Sequence, residues 1–228
     1  MSYQIQPIAV VRSPYKQKFG VARQPGLVPA AEICIELNPE FHADSVRGLD
    51  TFDYIWVHFI FHDVLDEGWA QMVRPPRLGG KQKMGVFATR SPHRPNHIGL
   101  SLLKLERISI GKTVCLFCSG ADLLDNTPVI DIKPYIPFVE AKPDAAGGFA
   151  TEKPPELSVI WSERALNAVS LTEKEKHLIT QSIAQDPRPA YQNIPSRIYV
   201  MNISNYEVKF QINEHQATVV ELSQTSDL

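Results

Sequence analysis

The sequence predicts a mainly β fold, a small antiparallel β-barrel followed by a C-terminal α+β annex. Up to residue 138, short strand-like segments follow one another through Pro- and Gly-rich loops, without the helical periodicity between them that a parallel sheet requires. Residues 141–156 have the Pro, Gly, Ala and Lys content of a linker, and a helix and three strands are predicted beyond them. Closing the first strands into a barrel would remove the exposed edges of their sheet.

The segments predicted as barrel strands are rich in apolar, β-branched and aromatic residues, and several alternate apolar with polar positions. Phe52–Phe61 is the most aromatic of them, and we expect it at the centre of the core. A hairpin around Gly111 is expected to join two of the later strands. The predicted strands are Ile5–Arg12, Glu32–Leu37, Phe52–Phe61, Gly85–Ala88, Ile98–Leu103, Leu105–Ile110, Thr113–Ser119 and Val129–Ile132.

These patterns divide the chain into a barrel domain over residues 1–140, a linker over residues 141–156 and a small α+β domain over residues 157–228. Thr172 and Glu175 form a Thr-x-x-Glu capping box, which predicts that a helix begins there. The residues predicted as C-terminal strands are Arg197–Ile203, Tyr206–Ile212 and Gln216–Leu222.

The composition is that of an ordinary globular protein and disfavours several other classes. The 228 residues are 43% hydrophobic and 21% charged, so a hydrophobic core and a solvated surface are both expected. No signal peptide is visible at the N-terminus, and no run of about 18 apolar residues predicts a membrane span. With three cysteines and no sign of secretion, we expect a reduced, cytoplasmic protein. No glycine-rich turn joins a strand to a helix, which disfavours a doubly wound cofactor-binding fold.

Basic residues are concentrated in two segments that contain no acidic residue. Residues 1–31 hold four basic side chains and residues 68–105 hold seven, although the formal net charge of the chain is −2. If the two segments share a face, they form a positive surface of the kind that binds phosphates.

Cys115 and Cys118 form a Cys-x-x-Cys sequence within a strand-like apolar run. Residues three apart in a strand point to opposite faces, and no second Cys or His pair follows. We therefore expect buried thiols here, and not a zinc or redox site.

The stretch from Gly85 to Leu103 holds the densest group of candidate site residues. Two prolines in its middle remove backbone donors, so the turn cannot join an α-helix or a central sheet ladder. Two guanidinium groups and two imidazoles are instead expected at the rim of the sheet, on a rigid binding loop. The polar residues of this loop are Arg90, Ser91, His93, Arg94, Asn96 and His97.

Two further segments offer ligand contacts. His62 and Asp63 follow the aromatic strand, where they either serve as general-base or ligand-binding groups or simply cap the strand. Residues 122–137 bring three aspartates close together around a turn at Asp125 and Asn126. A divalent cation needs several converging oxygens, so binding of ligand hydroxyls or ion pairing with the basic loops is favoured over a metal site.

The sequence SPHRPNHIGLS at residues 91–101 is similar to the SxxRPNPIGLS signature of the TsaA/TrmO family. The resemblance runs from Ile8 to about Phe138 and returns at residues 186–191, where DPRPAY resembles the family's DPRPxY element. His97 departs from the pattern, which usually has proline there. The resemblance implies a small antiparallel barrel that binds S-adenosylmethionine outside any Rossmann framework, usually as a homodimer. The implied reaction is methylation of N6 of the threonylcarbamoylated adenosine beside the anticodon of tRNA.

The resemblance also implies which residues contact the cofactor and the substrate, with no metal involved. Arg90 can bind the cofactor carboxylate as a two-pronged donor. We predict that Arg94 and Asn96 orient the substrate, and that Arg188 and Tyr191 close the site, with the tyrosine stacked on a displaced base. The implied cofactor contacts are Pro25, Gly26, Leu27, His62, Asp63, Arg90, Leu102, Asp122, Leu123, Leu124 and Asp125.

Two other classes of function stay open at this point. A non-catalytic RNA-binding barrel would explain the basic segments and the lack of an obvious nucleophile–base pair, and it would ignore S-adenosylmethionine. A metal-assisted hydrolase would use His93, His97 and the aspartates. The two histidines have the spacing of a helical metal site, but the prolines beside them forbid that helix.

Overall fold

The computed structural model describes residues 3–189, 194 and 197–225, and it contains twelve strands and three α-helices within these residues. In chain order the strands are β1 (Ala9–Arg12), β2 (Ile33–Leu37), β3 (Tyr54–Ile60), β4 (Met72–Val73), β5 (Met84–Gly85), β6 (Ile98–Ile110), β7 (Val114–Ser119), β8 (Pro128–Pro134), β9 (Ser158–Trp161), β10 (Ile198–Ile203), β11 (Tyr206–Asn213) and β12 (Gln216–Gln224). The helices are α1 (Pro137–Glu140), α2 (Glu163–Ala168) and α3 (Glu173–Ala184). Short 3₁₀ turns span Ala43–Val46, Leu49–Thr51, His62–Glu67, Pro76–Leu78, Val86–Ala88, Pro95–His97 and Gly148–Ala150.

Six strands close into an antiparallel barrel in the order β1-β2-β7-β6-β3-β8, which confirms the predicted fold class. Alternate residues of each strand point inward, so β2 buries every second side chain and leaves Cys34 and Glu36 half-exposed. A second sheet has the order β10-β11-β12-β9 and carries α3 beside it. No helix in the described part of the chain is long and apolar enough to cross a membrane.

Two predictions within the barrel region are wrong in detail. The apolar run Gly85–Ala88 is not a buried strand, because the chain turns into a 3₁₀ helix at Val86 and leaves Phe87 80% exposed. The residues expected as two strands on either side of Lys104 form the single strand β6. A register shift between Leu105 and Arg107 absorbs the break in alternation, so the strand continues through it.

The C-terminal region confirms the predicted helix and hairpins and adds two elements. Thr172 and Glu175 form a complete capping box at the start of α3. Neither α2 nor β9 was predicted from the sequence; β9 pairs in parallel with β12. This pairing explains the omission, because a short strand at a sheet edge is stabilised by a distant partner and carries little periodicity of its own.

The two sheets have separate hydrophobic cores. One fills the barrel, with residues such as Ile35, Ile55, Leu103 and Leu116 from its own strands. The other lies under the C-terminal sheet and includes four residues of the loop between β1 and β2. These four are Tyr15, Ala22, Val28 and Ala31.

Candidate functional site

A cavity of about 660 Å³ opens at the end of the barrel where β3 stops and β6 begins. This volume lies within the range of small-molecule sites, about 300–1,000 Å³. Strand ends and three loops surround it, the loops being residues 18–24, 89–94 and 122–124. Apolar side chains form much of its wall, among them Phe59, Phe61, Ile98, Leu100 and Leu123.

Gly99 shapes this wall because no side chain fits at its position. The strand register places Gly99 opposite Phe59, and a Cβ on residue 99 would lie 2.3 Å from the Phe59 ring. The ring therefore folds across β6 and meets Phe61 edge to face, with 4.9 Å between the ring centroids. The glycine of the signature sequence thus gives the cavity an aromatic side.

Asp122 places a carboxylate in the cavity wall. Ser101 Oγ donates a hydrogen bond of 2.6 Å to Asp122 Oδ1, and both residues line the cavity. Burial raises the pKa of the Asp122 carboxyl to about 6, although the Ser101 hydrogen bond and the nearby Arg90 favour the charged form. A carboxylate that is desolvated in this way is stabilised by a cationic ligand or by hydrogen bonds from a ligand's hydroxyl groups.

Basic residues from both segments identified in the sequence meet around this cavity, as we expected for a shared positive face. Lys18 and Arg23 come from the first segment, and Arg90 and Arg94 from the second. Lys18 Nζ lies 2.9 Å from the carboxylate of Asp63, which also lines the cavity.

The loop between β1 and β2 is tied to the signature loop and to the C-terminal region. Arg90 Nη1 donates to Gln24 Oε1 over 2.7 Å. Arg23 Nη2 donates to the backbone carbonyls of Asp186 and Arg188, each over 3.0 Å. The Arg188 side chain binds the Asp186 carboxylate through Nε and Nη2, at 2.8 and 2.7 Å. The Asp-Pro-Arg-Pro turn is therefore held closed and faces the cavity loop through its carbonyls.

The signature loop has a backbone that proline could not adopt at residue 97. Asn96 and His97 have φ angles of 66° and 50°, whereas proline is fixed near −65°. His97 Nδ1 donates to the Pro92 carbonyl over 2.9 Å, and the His97 carbonyl accepts from Phe61 N. The His97 ring thus secures a loop backbone that proline could not adopt at this position.

The structure brings together part of the predicted site. Gly26 N donates to the Gly120 carbonyl over 2.8 Å, which ties the first basic loop to the residues just before Asp122. Asp125 instead accepts from Ser13 N and Lys16 Nζ, each at 2.8 Å. The predicted residues that line the cavity are Asp63, Arg90, Arg94, Asp122, Leu123 and Leu124. Those that do not line it are Pro25, Gly26, Leu27, His62, Asn96, Leu102, Asp125 and Arg188, and Tyr191 lies outside the described residues.

Several residues that line the cavity were not singled out as site residues in the sequence, among them Arg23, Gln24, Ser101 and His58. Arg23 and Gln24 lie in a loop whose basic character was noted, but their partners are distant in the chain. Ser101 ends the signature sequence and could have been included. His58 stands alone among apolar residues in β3, and its buried Nδ1 has no hydrogen-bond partner in the described part of the chain.

The two histidines of the hydrolase hypothesis do not converge. His93 Nε2 lies 3.7 Å from a Glu67 carboxylate oxygen, whereas His97 is turned to the Pro92 carbonyl. Asp131 is engaged by Lys133 on the same strand. Neither histidine belongs to a group of described residues whose ligand atoms come together, so the geometry gives this hypothesis no support.

Two protein-family models match separate regions of this chain. The model of the tRNA-methyltransferase O N-terminal domain matches residues 10–141, and the model of the TrmO C-terminal domain matches residues 154–225. The chain belongs to the TrmO family. Each matched region of this TrmO family member contains one of the two sheets described above.

Similar proteins support this membership over most of the chain. A tRNA (adenine(37)-N6)-methyltransferase of Eikenella corrodens is 59% identical over 169 residues, 74% of this chain and 96% of that protein. A putative S-adenosylmethionine-dependent methyltransferase of Pseudomonas aeruginosa is 44% identical, covering 91% of this chain and 92% of that protein. The crystal structure of TrmO from Pseudomonas aeruginosa superposes with a TM-score of 0.81 at 34% identity, covering 98% of this chain and 99% of that one.

Proposed function

We propose that this protein transfers a methyl group from S-adenosylmethionine to N6 of the threonylcarbamoylated adenosine 37 of tRNA. The observation that carries the proposal is the barrel-end cavity, where a desolvated carboxylate, an arginine and aromatic walls meet beneath a basic rim. A member of the TrmO family with this cavity needs no Rossmann fold to hold its cofactor.

The residues around the cavity suit the groups of S-adenosylmethionine. Arg90 can bind its carboxylate, Asp122 can accept from its ammonium group or ribose hydroxyls, and Phe59 and Leu123 can cover the adenine. When bound, the cofactor supplies an electrophilic methyl group on a positively charged sulfur. Among the other predicted cofactor contacts, Asp63 and Leu124 line the cavity. Pro25, Gly26, Leu27, His62, Leu102 and Asp125 lie outside its lining, and we assign them to parts of the cofactor that extend beyond the cavity.

For the chemical step, the protein has to align the reactants. With the cofactor bound, the site would bring N6 of the adenosine in line with the methyl group; the cofactor would supply that group and leave as a neutral thioether, and N6 would lose one proton. Arg94 and Asn96 orient the adenosine, and the Asp63 carboxylate at the cavity can accept the proton. Such alignment lowers a barrier by up to about 7–11 kcal/mol, so no strong base is required.

The tRNA would be held by the basic rim and by the C-terminal turn. Phosphates next to the adenosine would face Lys18 and Arg94, because both side chains surround the cavity. Arg188 and Tyr191 would close over the displaced base. In this arrangement the C-terminal region contacts the substrate and the barrel holds the cofactor.

Titration calorimetry with S-adenosylmethionine, followed by a methylation assay on threonylcarbamoylated tRNA, tests the proposal. We expect saturable binding, weakened about tenfold or more in Arg90→Ala because a charge-assisted hydrogen bond contributes about 1.5–3 kcal/mol. The control is Arg47→Ala, which removes an exposed arginine that does not line the cavity. Binding of tRNA without binding of the cofactor and without methylation would replace the proposal by an RNA-binding module.

We further propose that the protein acts as a cytoplasmic homodimer, with the barrel domain over residues 1–140 and the C-terminal domain over residues 157–228 joined by the linker 141–156. Exposed apolar side chains of α1 support a protein interface, with Phe138 89% exposed and Val139 51% exposed. Light scattering should give twice the chain mass, and Phe138→Ser should lower it. Limited proteolysis should cut first within the linker.

A further inference from the structure

Three side chains of the types that ligate metal ions converge on the outer face of the barrel. The sulfurs of Cys34 and Cys115 and a carboxylate oxygen of Glu36 all lie within 4.8 Å of one another, and the three residues are half-buried. None of them lines the barrel-end cavity. This group is not the Cys-x-x-Cys sequence, because the Cys118 side chain points into the barrel core.

The strand register produces this convergence. Glu36 on β2 is paired directly with Cys115 on β7, and Cys34 lies two residues before Glu36 on the same face. Both strands are paired on each side in the closed barrel, so their backbones are fixed by hydrogen bonds. The ligand atoms are therefore held near one another before any ion arrives.

The charges around the group suit a divalent cation. Two thiolates and one carboxylate carry three negative charges, and Arg12 supplies one positive charge through its 2.8 Å contact from Nε to Glu36 Oε2. Arg107 adds a second positive charge nearby, since it is paired with Phe117, the strand partner of Cys34. A divalent ion would therefore leave the group close to neutral. An ion that binds here would displace the thiol protons, because the thiolate is the form of cysteine that ligates metals.

We propose that Cys34, Cys115 and Glu36 form a site for a soft divalent metal ion of the Zn²⁺ class, separate from the methyl-transfer site. Zinc accepts thiolate and carboxylate ligands in tetrahedral geometry, and water would complete the coordination. Its Zn–S bonds of about 2.3 Å place two ligand atoms about 3.8 Å apart, which the observed separations allow.

The site has an access route and a structural neighbour. Cys34 lines a different cavity, of about 290 Å³, between the barrel and α3. Lys174 and Leu178 of α3 form the opposite wall. An ion at Cys34 would thus bind beside the contact between the barrel and the C-terminal region, and the site would stabilise the folded chain when filled.

Zinc titration of the reduced, metal-free full-length protein against a chromophoric chelator tests this proposal. We expect one Zn²⁺ per chain, with affinity lowered about tenfold or more in Cys34→Ser and in Cys115→Ser. Cys118→Ser is the matched control, since its thiol is buried on the other face of the same strand, and its affinity should stay within about twofold. Arg12→Gln should strengthen binding, because it frees Glu36.

Cobalt provides a readout that depends on sulfur ligation. Co²⁺ bound to the wild-type protein and to Cys118→Ser should show sulfur-to-metal charge-transfer absorption, and Cys34→Ser and Cys115→Ser should lose it. Equal weakening in all three cysteine variants would overturn the proposal. So would a Cys34–Cys115 disulfide found by mass spectrometry in a protein that binds no zinc after reduction.

Discussion

The barrel builds its core from its own strands, whereas the core of the C-terminal sheet borrows residues from the loop between β1 and β2. Tyr15 is the clearest case. It is almost completely buried, its backbone bridges to Ile203, and its Oη lies 3.3 Å from Ser182 Oγ. The same loop continues to Lys18, Arg23 and other residues at the cavity.

This difference shows that the barrel-end cavity depends on both regions. Its barrel side is fixed by strand pairing and by the contact of Gly99 with Phe59. Its other side is a loop without regular secondary structure, which keeps its place because it packs on the C-terminal sheet. A change in the C-terminal core should therefore reach the cavity, although the matching change in the barrel core should not.

The largest expected effect comes from Tyr15→Ala. Loss of this buried ring should destabilise the protein by about 3–5 kcal/mol, and Leu116→Ala in the barrel core should cost a comparable amount, about 2–5 kcal/mol. Only Tyr15→Ala should also weaken S-adenosylmethionine binding, by about fivefold or more, because it loosens the cavity loop. Denaturant unfolding would measure the stability of each variant, and titration calorimetry on the folded proteins would measure its affinity for S-adenosylmethionine. Equal loss of cofactor affinity in the two variants would remove the distinction between the regions.

Asp122→Asn should separate stability from binding on the barrel side. The folded protein raises the pKa of this carboxyl from 3.8 to about 6, so ionised Asp122 destabilises the fold above pH 6, and protonation restores stability as the pH falls through 6. At pH 8 the variant should be more stable, by on the order of 1–3 kcal/mol. Its cofactor affinity should fall about tenfold or more.

The wild-type cofactor affinity should decline as the pH falls through about 6, because the binding form of Asp122 is the carboxylate. The Asp122→Asn protein should lack this dependence. Calorimetry at pH 5, 6, 7 and 8 on both proteins provides the comparison, and parallel pH profiles would exclude Asp122 as the responsible group.

Restoring the family's proline at residue 97 should show that the signature loop is held by local geometry. His97→Pro cannot keep a φ of 50°, and we expect a loss of about 1–3 kcal/mol in stability, with reduced methylation. His97→Gly is the matched control, since glycine accepts positive φ and loses only the hydrogen bond to Pro92. Thermal unfolding and turnover would be measured for both, and a proline variant as active and stable as the wild type would contradict the assignment.

The smallest effect is expected for Arg23→Ala, which cuts the link between the cavity loop and the Asp186 turn. Because the two hydrogen bonds lie at an exposed site, we expect their loss to weaken tRNA binding by about 0.5–1.5 kcal/mol, seen mainly as a higher KM for tRNA. Arg164→Ala breaks an exposed ion pair with Glu221 in the C-terminal region and should leave KM unchanged. If Arg164→Ala raised KM equally, the turn would have no special role.

The comparison also shows how far sequence reasoning reaches. Local features were predicted correctly where their cause is local, as with the capping box at Thr172 and the turn at Asp125 and Asn126. Gly85–Ala88 failed because a short apolar run is compatible with a strand or a turn. Arg23 was missed as a site residue because its two acceptors lie more than 160 residues away.

The sequence by itself determined the β-rich class, the signature motif and the concentration of basic residues in two segments. Alternation, turn residues and charge can be read locally, and they restrict the backbone without knowledge of its partners. Only the tertiary structure decided the single long β6, the packing of the first loop on the C-terminal sheet and the meeting of Cys34 with Cys115. These depend on register and closure between distant strands, where a shift of one residue would turn every side chain to the other face.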